Sequence, residues 1–334
     1  MTANIMQGVV VSVLWLMWSA PVSGVVSSTH KCNMVDLTHE LSNDSLQFPT
    51  NPYFQFLIGV REQFPNYWYE SNTFSSPEHL GTHLDSPAHF YKDAWRVHEI
   101  PVDRLIGPLV KIDITRRAAE NPNVAVTVDD LLNWERKHGQ IKKGSIVIMD
   151  SGWADFWPDR LKTFGDTDVT NWKAQDGTSK LRYPGWSIEA IDWLLKNRLP
   201  FGIGVDTPSL DPGSSTLFPV HVKTGSYNVY GLENVANLKL VRESGAVAVV
   251  MPIKIRGGSG APVRIVALNG RCDLTGQVTP ETHPTHTGYL SHQTSPRDNE
   301  HHYNHATHTK LDHSDAGSDF RMNSPGYMDI EGSL

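Results

Sequence analysis

Three histidines and one aspartate, His79, His83, Asp85 and His89, fall within the single run His79-Leu80-Gly81-Thr82-His83-Leu84-Asp85-Ser86-Pro87-Ala88-His89-Phe90. Imidazole nitrogen and carboxylate oxygen together suit a zinc or manganese ion, and neutral histidine is the commonest protein ligand for such metals. A lone His-x-x-x-His pair more often packs or caps, but four such groups in so short a run point to a divalent-metal site. Gly81 and Pro87 interrupt any regular helix across the run, so it reads as a loop or short turn that aims several side chains inward. Hydrolytic metal centres also draw ligands from distant parts of a fold. His221 and Glu233 are the candidates, in a turn-rich region beyond Val205-Asp206-Thr207-Pro208-Ser209, where functional loops are commonly carried. From composition alone, each could equally be an ordinary surface residue.

The chemistry such a site performs is metal-assisted hydrolysis: the ion lowers the pKa of water and polarises a carbonyl, and a histidine carries the proton. A serine-hydrolase reading finds no Gly-x-Ser-x-Gly elbow. Gly257-Gly258-Ser259-Gly260 lies between two strand-like runs with no Gly-Lys-Ser or Gly-Lys-Thr after it, so it reads as a hairpin turn rather than a phosphate loop.

The elements that must position these residues are legible as apolar runs of strand length: Leu109 to Ile114, Ser145 to Met149, Phe201 to Val205, Ala246 to Ile253 and Val263 to Leu268. Two helices lie among them. Thr127 caps one that turns Val128, Leu131 and Leu132 inward and stops at Gly139. Ser187 caps the other, with Ile188, Ile191, Leu194 and Leu195 on one face. More strands than helices, in alternation, predict an α/β domain built on a mixed sheet.

The formal charge of −7, with no run of Lys and Arg, leaves no footprint for nucleic acid or for stable membrane association, so a small-molecule substrate is expected. Residues 1–24 read as a signal peptide, with an apolar stretch from Ile5 to Ala20 followed by the small residues Val22-Ser23-Gly24, and a secreted protein is expected. The catalytic domain then covers 25–278. From 279 to 334 the composition shifts to a polar, His-rich tail holding His283, His286, His292, His301, His302, His305, His308 and His313, expected to be disordered. In an oxidising compartment the two cysteines, Cys32 and Cys272, are expected to pair.

The block from His79 to Phe90 resembles the signature of the metal-dependent cyclase family, which includes bacterial-type kynurenine formamidases and isatin hydrolases. The resemblance runs from Val35-Asp36-Leu37-Thr38 to Arg264-Ile265-Val266-Ala267-Leu268 and takes in Ser151-Gly152-Trp153, Asp206-Thr207-Pro208-Ser209-Leu210-Asp211, His221 and Gly231-Leu232-Glu233-Asn234. It implies a swivelling β/β/α domain, a homo-oligomer, and one or two ions of zinc or manganese. His79, His83 and Asp85 would hold the first ion, with Asp85 bridging to a second held by His221 and Glu233, and His89 would transfer the proton. The implied reaction is hydrolysis of an aromatic amide, first of an aryl formamide such as N-formylkynurenine, by hydroxide formed at the metal. A cyclic amide of the isatin type is the alternative, as is a secreted metal-binding protein without turnover. Phe48-Pro49 stands where bacterial kynurenine formamidases carry Trp-Pro, so Phe48, with Trp153, is the expected contact to an aromatic substrate.

The cysteine expectation has a direct test. Mass spectrometry of a non-reduced digest of secreted protein should recover Cys32 and Cys272 in one linked peptide, and recovery of both as free thiols rejects the bridge.

Overall fold

The structure, a computed structural model, describes residues 33–166 and 171–270. Its elements in chain order begin with β1 (Asn33–Asp36), β2 (Gln55–Gln63), β3 (Trp68–Ser75), β4 (His83–Asp85) and β5 (Ile106–Asp113). Next come α1 (Thr115–Glu120), β6 (Ala125–Val126), α2 (Val128–His138), β7 (Ile146–Asp150), α3 (Arg160–Phe164) and β8 (Gly185–Trp186). The chain continues through α4 (Ile188–Asn197), β9 (Gly202–Val205), α5 (Pro219–Gly225), β10 (Tyr230–Glu233), β11 (Ala246–Pro252) and β12 (Gly260–Asn269). The five apolar runs thus become β5, β7, β9, β11 and β12. Both predicted caps hold, since the Thr127 hydroxyl accepts from the Asp130 amide and the Ser187 hydroxyl from that of Ala190.

Among the described residues, eight strands form one sheet in the order β1-β12-β11-β5-β7-β9-β10-β4, and β12 also pairs with β4. The closure depends on the length of β12. One of its edges takes β11, while the other takes β1 at its C-terminal end, with Asn33 opposite Asn269, and β4 at its start, with Gly260 opposite Asp85. The sheet therefore returns on itself as a barrel-like mixed sheet, the expected fold class. β5, β7, β9 and β10 run parallel, which requires crossovers, and the helices supply them. Alternation along β7 shows how both faces are buried. Ile146 and Ile148 enter the core inside the sheet with Leu84, Leu109, Leu232 and Ile265, whereas Val147 and Met149 pack under the helices with Leu131, Ile191 and Leu194.

Among the described residues, β2 and β3 pair only with each other, and they expose Phe56, Leu57, Ile58, Trp68, Tyr69 and Phe74. No helix among the described residues is long and apolar enough to cross a membrane. Cys32, Cys272, the leader and the His-rich tail lie outside the described residues.

The connection that carries the site is fixed by Asp206, just past β9. Its buried carboxylate accepts from the Ser151 amide (3.1 Å), the Ser151 hydroxyl (2.6 Å) and the Trp153 amide (2.8 Å). Burial above all, then the charge of Asp150, pushes its pKa up to about 7. Asp206→Ala strips the acceptor from two buried amides, and orphaning such groups costs about 1–3 kcal/mol each. A fall in the urea midpoint with unchanged slope is the expected result, and an unaltered midpoint would contradict the anchoring role. Because the folded pKa lies above the ordinary value of 3.8, this carboxyl's contribution to stability is full below that value and is lost as pH rises to about 7.

Candidate metal centre

Alternation on β4 puts His83 and Asp85 on one face and Leu84 on the other, in the core, with all three buried. β10 lies antiparallel to β4 with Glu233 opposite His83, so cross-strand pairing delivers a second carboxylate to the same face. His79 precedes β4. Between them Gly81 turns with φ +56, a conformation glycine adopts freely, and its carbonyl oxygen accepts from Nδ1 of His83 (2.9 Å). His221 comes from α5. Asp211 binds the start of that helix, accepting from the Val220 and His221 amides and, at 2.6 Å, from Nδ1 of His221.

These elements bring together all six residues that the sequence singled out for metal binding and proton transfer. Asp85 is the centre, with His79 Nδ1 at 2.6 Å, His83 Nε2 at 3.3 Å and His221 Nε2 at 3.3 Å from its oxygens. Glu233 lies between His83 (3.4 Å) and His221 (3.0 Å) and also accepts from the Leu210 amide. Asp85 is common to two candidate ligand groups, one with His79 and His89 and one with His83 and Glu233. This places His89 beside the ligands, its ring stacked on His79 with centroids 3.9 Å apart.

The residues fit a divalent ion. With Nδ1 of His83 and of His221 committed as donors, both present Nε2 lone pairs to the two carboxylates. His83 Nε2 and Asp85 Oδ2 are fully buried with no hydrogen-bond partner, a costly arrangement that a cation relieves. The electrostatics agree. Burial acts most strongly on His83 and opposes its charge, yet Asp85 and Glu233 outweigh it and push the imidazole up to about 10. Asp85 is held well below the usual carboxylate range against its own burial, by His79 and His89 foremost. The site is thus built to hold positive charge. His89 differs: burial pulls it down to about 4, leaving a neutral imidazole at neutral pH.

The centre forms the floor of a cavity of about 260 Å³ whose walls include Phe48, Phe90, Trp172 and Phe218. Phe48 meets Trp172 and Phe218 edge to face, at 5.8 and 6.3 Å between centroids. Trp153, the other expected substrate contact, lies instead in a side core, its indole N–H donated to the Thr163 carbonyl. Its place among the aromatics is taken by Trp172, Phe90 and Phe218. These three stand far apart in sequence; Phe90 closes the His79–Phe90 run, whereas no local pattern marks Trp172 or Phe218. Asp211 could have been found, since it closes the Asp206-Thr207-Pro208-Ser209-Leu210-Asp211 stretch ten residues before His221.

Residues 35–212 match the model of the family described as putative cyclase. The chain belongs to this family. It is 32% identical over 200 residues to an isatin hydrolase from Roseibium aggregatum, covering 57% of this chain and 72% of the relative. To a kynurenine formamidase from Salinibacter ruber it is 24% identical over 241 residues, covering 70% and 96%. The solved structure of isatin hydrolase A from Ralstonia solanacearum superposes with a TM-score of 0.63 at 32% identity, over 71% of this chain and 92% of that one. These relationships make the chain a cyclase-family hydrolase, and the ligand cluster is its candidate divalent-metal site.

Asp85 is the carboxylate shared by both ligand groups, so Asp85→Ala should retain no ion through gel filtration after reconstitution of the purified protein. Metal content equal to wild type, read by mass spectrometry of the protein fraction, would remove Asp85 from the centre.

Proposed function

We propose that the protein hydrolyses the amide bond of a neutral aromatic substrate, with a cyclic amide of the isatin type preferred over an aryl formamide of the N-formylkynurenine type. The observation that carries this reading is the chemistry of the cavity: a cation-seeking floor beneath four aromatic walls, with no Lys or Arg among the described lining residues. An amino-acid substrate such as N-formylkynurenine brings an α-carboxylate, and burying it without a cationic partner is costly. The higher identity to the isatin hydrolase than to the kynurenine formamidase supports the same preference.

His79, His83, Asp85, His221 and Glu233 would hold the ion, zinc or manganese, in one or two copies. When bound, it supplies Lewis-acid polarisation of the scissile carbonyl and acidification of water. Phe48, Trp172 and Phe218 pack on one another as an apolar wall for the substrate ring and keep bulk water from it. Asn51, Ser209 and Asn234 offer polar atoms at the cavity wall to orient the amide. His89, neutral at neutral pH, accepts the proton of the attacking water and returns it to the departing nitrogen. Secretion, expected from the leader, would place this activity outside the cell, where an aromatic amide is met as a free small molecule.

Ultraviolet assays of the reconstituted protein with isatin and with N-formylkynurenine test the reading. Isatin turnover at the higher kcat/KM is expected, and turnover of N-formylkynurenine alone would reverse the preference. His89→Ala should keep its metal and lose about 10²–10⁴ in rate, the usual cost of removing one general acid or base. A variant as active as wild type would take proton transfer away from His89, and a variant devoid of metal would make His89 a ligand.

A further inference from the structure

The glycine-rich turn Gly257–Gly260 has no role in the site as described so far, yet it touches it. The Ser259 hydroxyl lies 3.0 Å from Nε2 of His79 and 2.6 Å from Oε2 of Glu78. The Ser259 hydroxyl donates to Glu78, which leaves its lone pairs facing Nε2 of His79. With Nε2 turned to Ser259, Nδ1 is the nitrogen of His79 that faces the centre, 2.6 Å from Asp85. His83 and His221 are oriented the opposite way, with Nδ1 held and Nε2 facing the centre.

Resting on the reading of this cluster as a divalent-metal site, we propose that Ser259 and Glu78 are positioning residues that lock His79 as an Nδ1 ligand. Each of the three imidazoles then has its own outer partner: the Gly81 carbonyl for His83, Asp211 for His221, and the Ser259–Glu78 pair for His79. Such partners fix ring orientation and raise ligand basicity. The turn is built for this contact. Glu78 also accepts from the Ser259 and Gly260 amides, while the Ser259 carbonyl accepts from the Ser86 amide next to Asp85. A Cβ at Gly260 would stand 2.4 Å from Cε1 of His79, so only glycine lets the turn close on the ring. The turn thus holds both the histidine and the strand that carries its neighbouring ligands.

Zinc affinity of the metal-free full-length protein, measured by competition with a chromophoric chelator, tests the assignment. Ser259→Ala and Glu78→Gln should each weaken zinc binding by about 10–100-fold, the usual effect of losing an outer partner. Glutamine keeps an acceptor for the two backbone amides, so the thermal midpoint of the metal-free protein should stay at the wild-type value. Ser259→Thr, which keeps the hydroxyl, should restore the affinity, and Glu78→Gln should add little once Ser259 is alanine. Nitrogen NMR of the zinc-loaded protein should show the His79 proton on Nε2. Wild-type affinity in both variants, or a His79 proton on Nδ1, overturns the assignment while leaving the metal site standing. Failure of the wild-type protein itself to bind zinc or manganese would instead overturn the metal reading and this assignment with it.

Discussion

The constraint on which this structure depends is a buried carboxylate surrounded by imidazoles. Asp85 is 4% exposed and has three histidine nitrogens within 3.3 Å of its oxygens, so it can remain ionised only where positive charge compensates it. The sheet supplies this setting by closing. β4 is only three residues long, yet it is paired on both edges, by β10 and by β12. Those two ladders set the register that puts Glu233 opposite His83 and Gly260 opposite Asp85. A shift of one residue would turn His83 and Asp85 into the core and Leu84 toward the cavity, so the register of this short strand and the existence of the site are one fact.

Around the cluster, backbone geometry does work that side-chain identity alone cannot. Gly81 turns the chain so that its own carbonyl meets His83, Asp211 binds the start of α5 as well as His221, and the turn before β12 reaches His79 through Ser259. Each outer contact ties a ligand to an element already fixed by core packing. The candidate centre is therefore held in a fixed arrangement by the fold around it. The aromatic walls act on a different scale. They are assembled from Phe48, Phe90, Trp172 and Phe218, and they line the cavity with apolar surface rather than charge.

Three electrostatic settings coexist in and beside the site, and each has its own physical cause. His83 and His221 are raised by the carboxylates they face, although burial opposes this, as suits groups that exchange a proton for a metal ion. His89 shares the neighbourhood but is governed by its burial, which leaves it neutral and able to take up a proton. Asp206, one connection away, is raised by burial and secured by its hydrogen bonds, which makes it a structural anchor for the loop.

The sequence by itself determined much of this. Apolar runs and capping residues are local signals, so five strands and two helices could be read directly, and the density of His79, His83, Asp85 and His89 pointed to a candidate metal site. His221 and Glu233 could be named as candidates from their turn-rich region, but only the family resemblance assigned them as ligands, because their own surroundings do not separate them from surface residues. The tertiary structure alone decided what depends on long-range pairing. β4 and β10 carry buried charged residues and so break the apolar pattern by which strands are recognised, and β2 and β3 have no buried face to reveal them. Trp153 and Trp172 are equally aromatic in sequence; packing sent the first into a side core and the second to the cavity. Ser259 lies 180 residues from His79, a contact that exists only because β12 pairs with β4 and brings the turn before it onto the ligand.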